Sequence, residues 1–235
     1  MTELVPKKAN SHDTSDLLAE TIKSLTQGIT GIAASERKDL FLSLGHILQR
    51  IRSGRFLEVL KREWDGYRDK GRIKEDYMDS DQHQECLQEM LDFLDKDSPD
   101  EIRFSFLKKI FLTAATETIS DRESVLPQQY MRVCRGLSAG EVLVLEATFG
   151  IAKSGGWDRN DMSAQHWENQ IAEKSTLQYT ELVELHERNL INKNLITPRT
   201  YSDKSGVRLG RYYHLSNLGY EICKFIEAYQ DNAHP

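Results

Sequence analysis

From about residue 16 onward, apolar residues recur at three- and four-residue intervals, and the rhythm changes only once, over residues 195–214. Such a period places the apolar side chains on one side of a helix, so the chain is predicted to be mainly α. Leu40, Leu44, Ile47, Leu48 and Ile51 make the first stripe behind Ser35 as N-cap, with a break predicted at Ser53-Gly54. Phe56, Leu57, Leu60, Trp64 and Tyr67 make the second, and Gly66 and Gly71 mark a loop after it. Cys86, Leu87, Met90, Leu91 and Leu94 make a third, whose outer face must be acidic. Ser98-Pro99-Asp100-Glu101 reads as a helix start: a capping serine, a proline at the first helical position and a glutamate able to reach back to the free N–H. Ile102, Phe106, Leu107, Ile110, Phe111 and Ala114 then form a stripe too broad for an edge helix. The expected organisation is a polar tail over 1–15, a helical bundle over 16–120, and a connection over 121–136 containing Pro127.

A length of 235 residues, 39 % apolar and 29 % charged, is enough for one large or two small cores and is neither a disordered nor a membrane composition. No apolar run approaches the ~18 residues of a membrane span, and the start lacks the apolar centre of a secretory signal. Cys86, Cys134 and Cys223 are odd in number and widely spaced, which predicts neither disulfides nor zinc ligation. A cytoplasmic protein is expected. The net charge of −6 excludes a generally basic nucleic-acid coat but hides segregation. Residues 37–74 hold eleven Lys/Arg against five acids, whereas 75–101 hold eleven acids and only Lys96. These blocks either neutralise one another as solvated helix faces or form a docking surface for a charged partner.

Leu137-Ser138-Ala139-Gly140-Glu141 has the form of a capping box, with Leu137 able to staple against Val142. Its helix should run to about Ala152 and a Gly155-Gly156 break should follow. A short helix with Trp167 and Ile171 leads to a further capping box at Ser175-Thr176-Leu177-Gln178. The next helix is assigned Tyr179, Leu182, Val183, His186 and Leu190 as its apolar positions, with Asn189 as the left-handed residue at its end. Two extended runs, about 195–201 and 207–214, flank the turn composition Ser202-Asp203-Lys204-Ser205-Gly206. A last helix opens near Ser216 and carries Leu218, Ile222, Phe225, Ile226 and Tyr229.

Helix, helix, helix, hairpin, helix over residues 137–230, about two-fifths of the chain, resembles the winged-helix superfamily. Leu182 to Ile191 is similar to the end of the family's third helix, with asparagine where glycine is usual. Tyr213-His214-Leu215-Ser216-Asn217-Leu218-Gly219 is similar to its second wing strand turning into a helix. The resemblance covers the C-terminal segment only and implies a winged-helix domain with one β-hairpin there. With the helical bundle that the residue pattern predicts before it, the expected chain is mainly α, an N-terminal helical bundle followed by a C-terminal winged-helix domain. The resemblance also implies double-stranded DNA as partner, with the third helix in the major groove and the wing on the backbone.

On that reading Gln178 and Thr180 are the base readers, and Lys193, Arg199, Tyr201, Lys204, Arg208 and Arg211 are the backbone contacts. The third helix is poorly suited to this, because its expected outward residues include Glu181, Glu184 and Glu187. The wing arginines have an alternative role as solvated charges that keep a hairpin edge soluble. The expected function is a non-enzymatic DNA-contacting regulator, with dimerisation or partner contact through the bundle. The alternative is an assembly or adaptor protein whose winged helix binds a protein, such as an accessory component of a bacterial defence or stress system.

Enzyme patterns are incomplete in this sequence. Asp95 to Asp100 lacks the glycine and the twelfth-position acid of a calcium loop, and Lys153-Ser154-Gly155-Gly156 lacks phosphate-loop spacing. His166, His186 and His214 have no second ligand at metal spacing; His46 could sit near Cys86 in the fold, but spacing alone does not establish a nucleophile and base pair. No catalytic residue, metal site or cofactor is predicted.

Overall fold

A computed structural model describes residues 20–21, 23–24, 51–74, 76–116, 125–154, 164–203 and 206–229, with side chains described except at 51–52, 164–166, 198–203 and 206–214. The described residues are mainly helical, with one two-stranded antiparallel sheet. None of the described helices is long and apolar enough to cross a membrane. The chain divides into two units, one of residues 1–99, 114–131 and 231–235, the other of 100–113 and 132–230. The predicted stripe at Leu40–Leu48, its cap Ser35 and the Gly155-Gly156 break lie outside the described residues.

In the first unit, α1 (Ile51–Asp69) buries Phe56, Leu57, Leu60, Trp64 and Tyr67, the set that their spacing predicts. Ser53-Gly54 does not break the chain but lies within α1. The Ser53 hydroxyl is buried and donates to the Leu94 carbonyl at 2.9 Å, so it ties α1 to α2 (Asp81–Lys96). Gly66 also lies inside α1, and Gly71 alone ends it. Gly71 has φ 63°, its N–H reaches the Arg68 carbonyl and the Arg72 N–H reaches that of Tyr67, a Schellman closure that favours glycine. Ser80 caps α2 by accepting from the His83 N–H at 3.1 Å. Cys86, Leu87, Met90, Leu91 and Leu94 are buried, with Glu85 exposed and Asp92 and Asp95 half-buried.

The helix predicted near Ser98 exists, but the cap is displaced. In α3 (Glu101–Thr116), Asp100 accepts from the Arg103 N–H at 3.0 Å, while Ser98 has φ 47° and Pro99 stands outside the helix. The carboxylate is the stronger acceptor and also favours the helix dipole. Within the stretch predicted as a connection, Leu126–Arg135 forms α4, with Tyr130, Met131 and Cys134 buried. Pro127 is a first-turn residue there, where its missing N–H costs nothing.

The second unit contains α5 (Ala139–Lys153), α6 (Ala164–Ser175), α7 (Thr180–Asn192), β1 (Ile196–Asp203), β2 (Gly206–Leu215) and α8 (Asn217–Glu227). α5 packs against the other three helices. Its predicted capping box is present: the Ser138 N–H donates to Glu141 Oε2 at 2.6 Å and the Glu141 N–H to Ser138 Oγ at 3.3 Å. Leu137 and Val142 are both buried, as a staple requires. Trp167 and Ile171 of α6 are core residues. The box predicted at Ser175 is absent, because Ser175 ends α6 and its hydroxyl turns back to the Ala172 carbonyl at 3.4 Å.

Tyr179 precedes α7 and makes no side-chain cap. The helix continues through Asn189 to Asn192, and the left-handed residue is Asn194 at φ 58°. The Asn194 N–H reaches the Ile191 carbonyl and that of Leu195 reaches Leu190, the same closure as at Gly71 with asparagine in place of glycine. The strands pair from Ile196↔Leu215 to Asp203↔Gly206, with an irregularity between Pro198 and Thr200. The Leu195 carbonyl accepts the Ser216 N–H at 3.0 Å, and Ser216 caps α8 through the Gly219 N–H at 3.0 Å. Ile222 and Ile226 are buried, but Leu218, predicted on the inner face, is exposed.

A methyl group on Gly219 would fall inside the van der Waals radius of the Leu195 carbonyl oxygen. Gly219→Ala is therefore expected to destabilise the chain by about 1–3 kcal/mol, read as a lowered thermal melting temperature. A melt unchanged from wild type would contradict this placement of α8.

Candidate functional site

Seven of the eight residues predicted to contact nucleic acid lie among the described residues, in three places. Gln178 lies ahead of α7 at φ 61°, exposed, and Thr180 is the first residue of that helix, half-buried. Neither therefore stands at mid-helix. Lys193 follows α7, and its ammonium is 2.7 Å from Glu141 Oε1. Burial pushes the Glu141 carboxyl up, but the Lys193 ammonium and the Ser138 N–H outweigh it and hold the group below the usual carboxylate range. The Lys193 charge thus serves the start of α5. Arg199 and Tyr201 lie on β1, and Arg208 and Arg211 on β2. The register sets Arg208 directly across from Tyr201, with Arg199 two residues before Tyr201. Their side chains, and Lys204 altogether, lie outside the described residues.

α7 is phased differently from the sequence expectation. Val183, Glu187 and Leu190 point inward. Glu187, predicted to be outward, is 0 % exposed and accepts from the Trp167 indole N–H at 3.0 Å. An indole N–H buried in an apolar core requires an acceptor, and Glu187 supplies it from one turn beyond Val183. Tyr179, Leu182 and Leu185 are correspondingly exposed, at 62 %, 39 % and 44 %, although the spacing predicts Tyr179 and Leu182 on the apolar face. Glu181, Glu184 and Arg188 are exposed with them. His186, also predicted on that face, is half-buried with its ring against Gly140 of α5, where a Cβ would overlap it. The helix that a groove reader would insert into DNA thus offers leucines and carboxylates.

Other titratable groups are tied into the packing. In the first unit His83 stacks on Trp64, centroids 5.0 Å apart and planes 12° apart, and its Nδ1 lies 3.2 Å from the Met78 carbonyl oxygen. Burial pulls its imidazole down to about 4, so it is neutral at pH 7. Burial pushes the neighbouring Cys86 thiol up to about 12, even with a hydrogen bond to Tyr77 acting the other way, so the reactive thiolate is not populated. His46 lies outside the described residues. In the second unit an open groove of 350 Å³ is lined by Phe106, Phe149, Cys223, Ile226 and Tyr229. Its charged rim is paired internally, Lys109 with Glu146 at 3.7 Å and Lys153 with Glu227. Among the described residues no three His, Cys, Asp or Glu side chains converge as a metal site would need.

Glu187 gives the second unit a pH signature. Burial raises its carboxyl to about 8, and the nearby charges of Glu168 and Glu184 add to the effect against the opposing Trp167 bond. Between its ordinary 4.5 and 8 the unfolded chain releases this proton while the native chain keeps it, so the contribution to stability falls as pH rises through that window. Glu187→Gln keeps an acceptor for Trp167 and cannot ionise. Its stability relative to wild type is expected to increase from pH 5 to pH 8 by about 2–4 kcal/mol and to level off above pH 8, as measured by denaturant melts across pH. A difference independent of pH would show that Glu187 is not buried as an acid.

No family model matches the chain, and no match was found among curated proteins or solved structures.

Proposed function

We propose that residues 137–230 form a winged-helix module that holds double-stranded DNA by its phosphates through the hairpin, without base reading by α7, and that the chain acts non-enzymatically, as a transcriptional regulator. The observation that carries this reading is the hairpin. Between Ile196 and Leu215 it holds Arg199, Lys204, Arg208 and Arg211 against Asp203 alone, with Arg208 opposite Tyr201 in the register. A two-stranded finger with that excess of cations suits the polyanionic backbone, which a protein grips by displacing condensed counterions. The exposed face of α7 argues against a groove reader, because Glu181 and Glu184 would be driven toward phosphates and Leu182 and Leu185 meet few apolar partners in a major groove. Binding led by the hairpin is sequence-tolerant and strongly dependent on salt.

The alternative, an assembly or adaptor protein, draws on the same leucines of α7. A gel shift titrated with salt separates the two. Replacing Arg199, Arg208 and Arg211 together by alanine is expected to weaken duplex binding and to flatten the plot of log affinity against log salt by about one unit for each phosphate no longer neutralised. Retention of duplex unchanged in the triple variant would remove the DNA reading. A stoichiometric protein partner, with no shift of wild type on any duplex at low salt, would put the adaptor reading in its place.

A further inference from the structure

We propose that the outer side of α7 is a self-complementary interface that joins two copies of this chain about a two-fold axis. It does not depend on the DNA reading. Val183, Glu187 and Leu190 anchor the inner side of the helix, so the 3.6-residue period puts Glu181, Leu185 and Arg188 on the outer side with Leu182 beside Leu185. A single exposed leucine is ordinary on a protein surface. Here two lie within one turn, an acid stands at the N-terminal end of the patch and a base at the C-terminal end.

That order is the one a two-fold pairing of antiparallel helices needs, because each end of the patch meets the opposite end in the other copy. With Leu185 on the axis, it meets Leu185 of the second copy. Leu182 flanks Leu185 on the side away from Arg188 and so packs beside Leu185 of the second copy, while Glu181, on the same side as Arg188, comes within one residue's rise of the Arg188 guanidinium of the second copy. The pairing occurs twice by symmetry. Other occupants match less well: a polyanion opposes Glu181 and Glu184, and a basic partner opposes Arg188. A second copy satisfies both ends and covers both leucines. The interface is also distinct from the bundle, where the sequence predicts dimerisation.

Sedimentation velocity of the full chain over a concentration series tests this. Wild type is expected to pass from monomer to dimer with rising concentration, and Leu185→Glu to raise the midpoint about tenfold or more. Glu181→Arg and Arg188→Glu are each expected to raise it severalfold by setting like charges together, and the double variant to recover most of the loss. All three positions are exposed, so circular dichroism should report an unchanged fold. A wild-type chain that stays monomeric, a dimer indifferent to Leu185→Glu, or a double variant no better than either single reversal would each overturn the proposal. The second and third of these outcomes would place the contact elsewhere or deny the antiparallel register.

Discussion

The carbonyl of Leu195 is the point on which the second unit turns. It receives the Ser216 N–H, the Ser216 hydroxyl lies 3.2 Å away, and Gly219 stands so close that only a hydrogen fits. Because Asn194 is left-handed immediately before it, the chain leaves α7, reverses, and enters β1 with this carbonyl facing the start of α8. Both ends of the hairpin are thereby fixed: Ile196 and Leu215 are paired at its base, and the residues beside them are bonded to one another. The cations further out are carried on a frame whose root is held by hydrogen bonds and by close packing, not by charge.

A second constraint sets the angle of α7. Trp167 has no apolar substitute for its N–H partner, and Glu187 fills that role from within the core. The exchange is costly for a carboxyl, and its raised protonation range reflects this. It also dictates which residues face out. Once positions 183, 187 and 190 are inside, Leu182 and Leu185 must be outside, whatever their hydropathy. The apolar outer face of α7 is in this sense a consequence of one buried hydrogen bond. His186 against Gly140 and Lys193 on Glu141 hold the same phase from the side of α5.

Much of this framework is legible in the residues, and the failures share a physical cause. The Ser138–Glu141 box, the staple of Leu137 with Val142, the antiparallel pair of extended runs and the stripe from Phe56 to Tyr67 are local patterns, and each is present, the strands reaching further than predicted, to Asp203 and from Gly206. What escapes a reading of the sequence depends on distant partners. Ser53 stays helical because Leu94 takes its hydroxyl, a bond 41 residues away. Glu187 looks solvated until Trp167 is placed beside it. Lys193 looks free for phosphate until Glu141 is seen to claim it. Predicted caps are misplaced where two candidates compete, as with Ser98 and Asp100, or where asparagines lie close together, as with Asn189 and Asn194. Of the proposed interface, the hairpin's charge is legible in composition, but the outer face of α7 is not.

On the proposed function, duplex DNA meets the hairpin and not α7. The most direct measurement is a titration of the full, isotope-labelled chain with duplex at low and at high salt, followed by amide chemical shifts residue by residue. Perturbations are expected to gather between Arg199 and Arg211 and to fade as salt is raised, while amides from Glu181 to Arg188 stay in place. Movement concentrated in α7, or a hairpin silent at low salt, would contradict this reading.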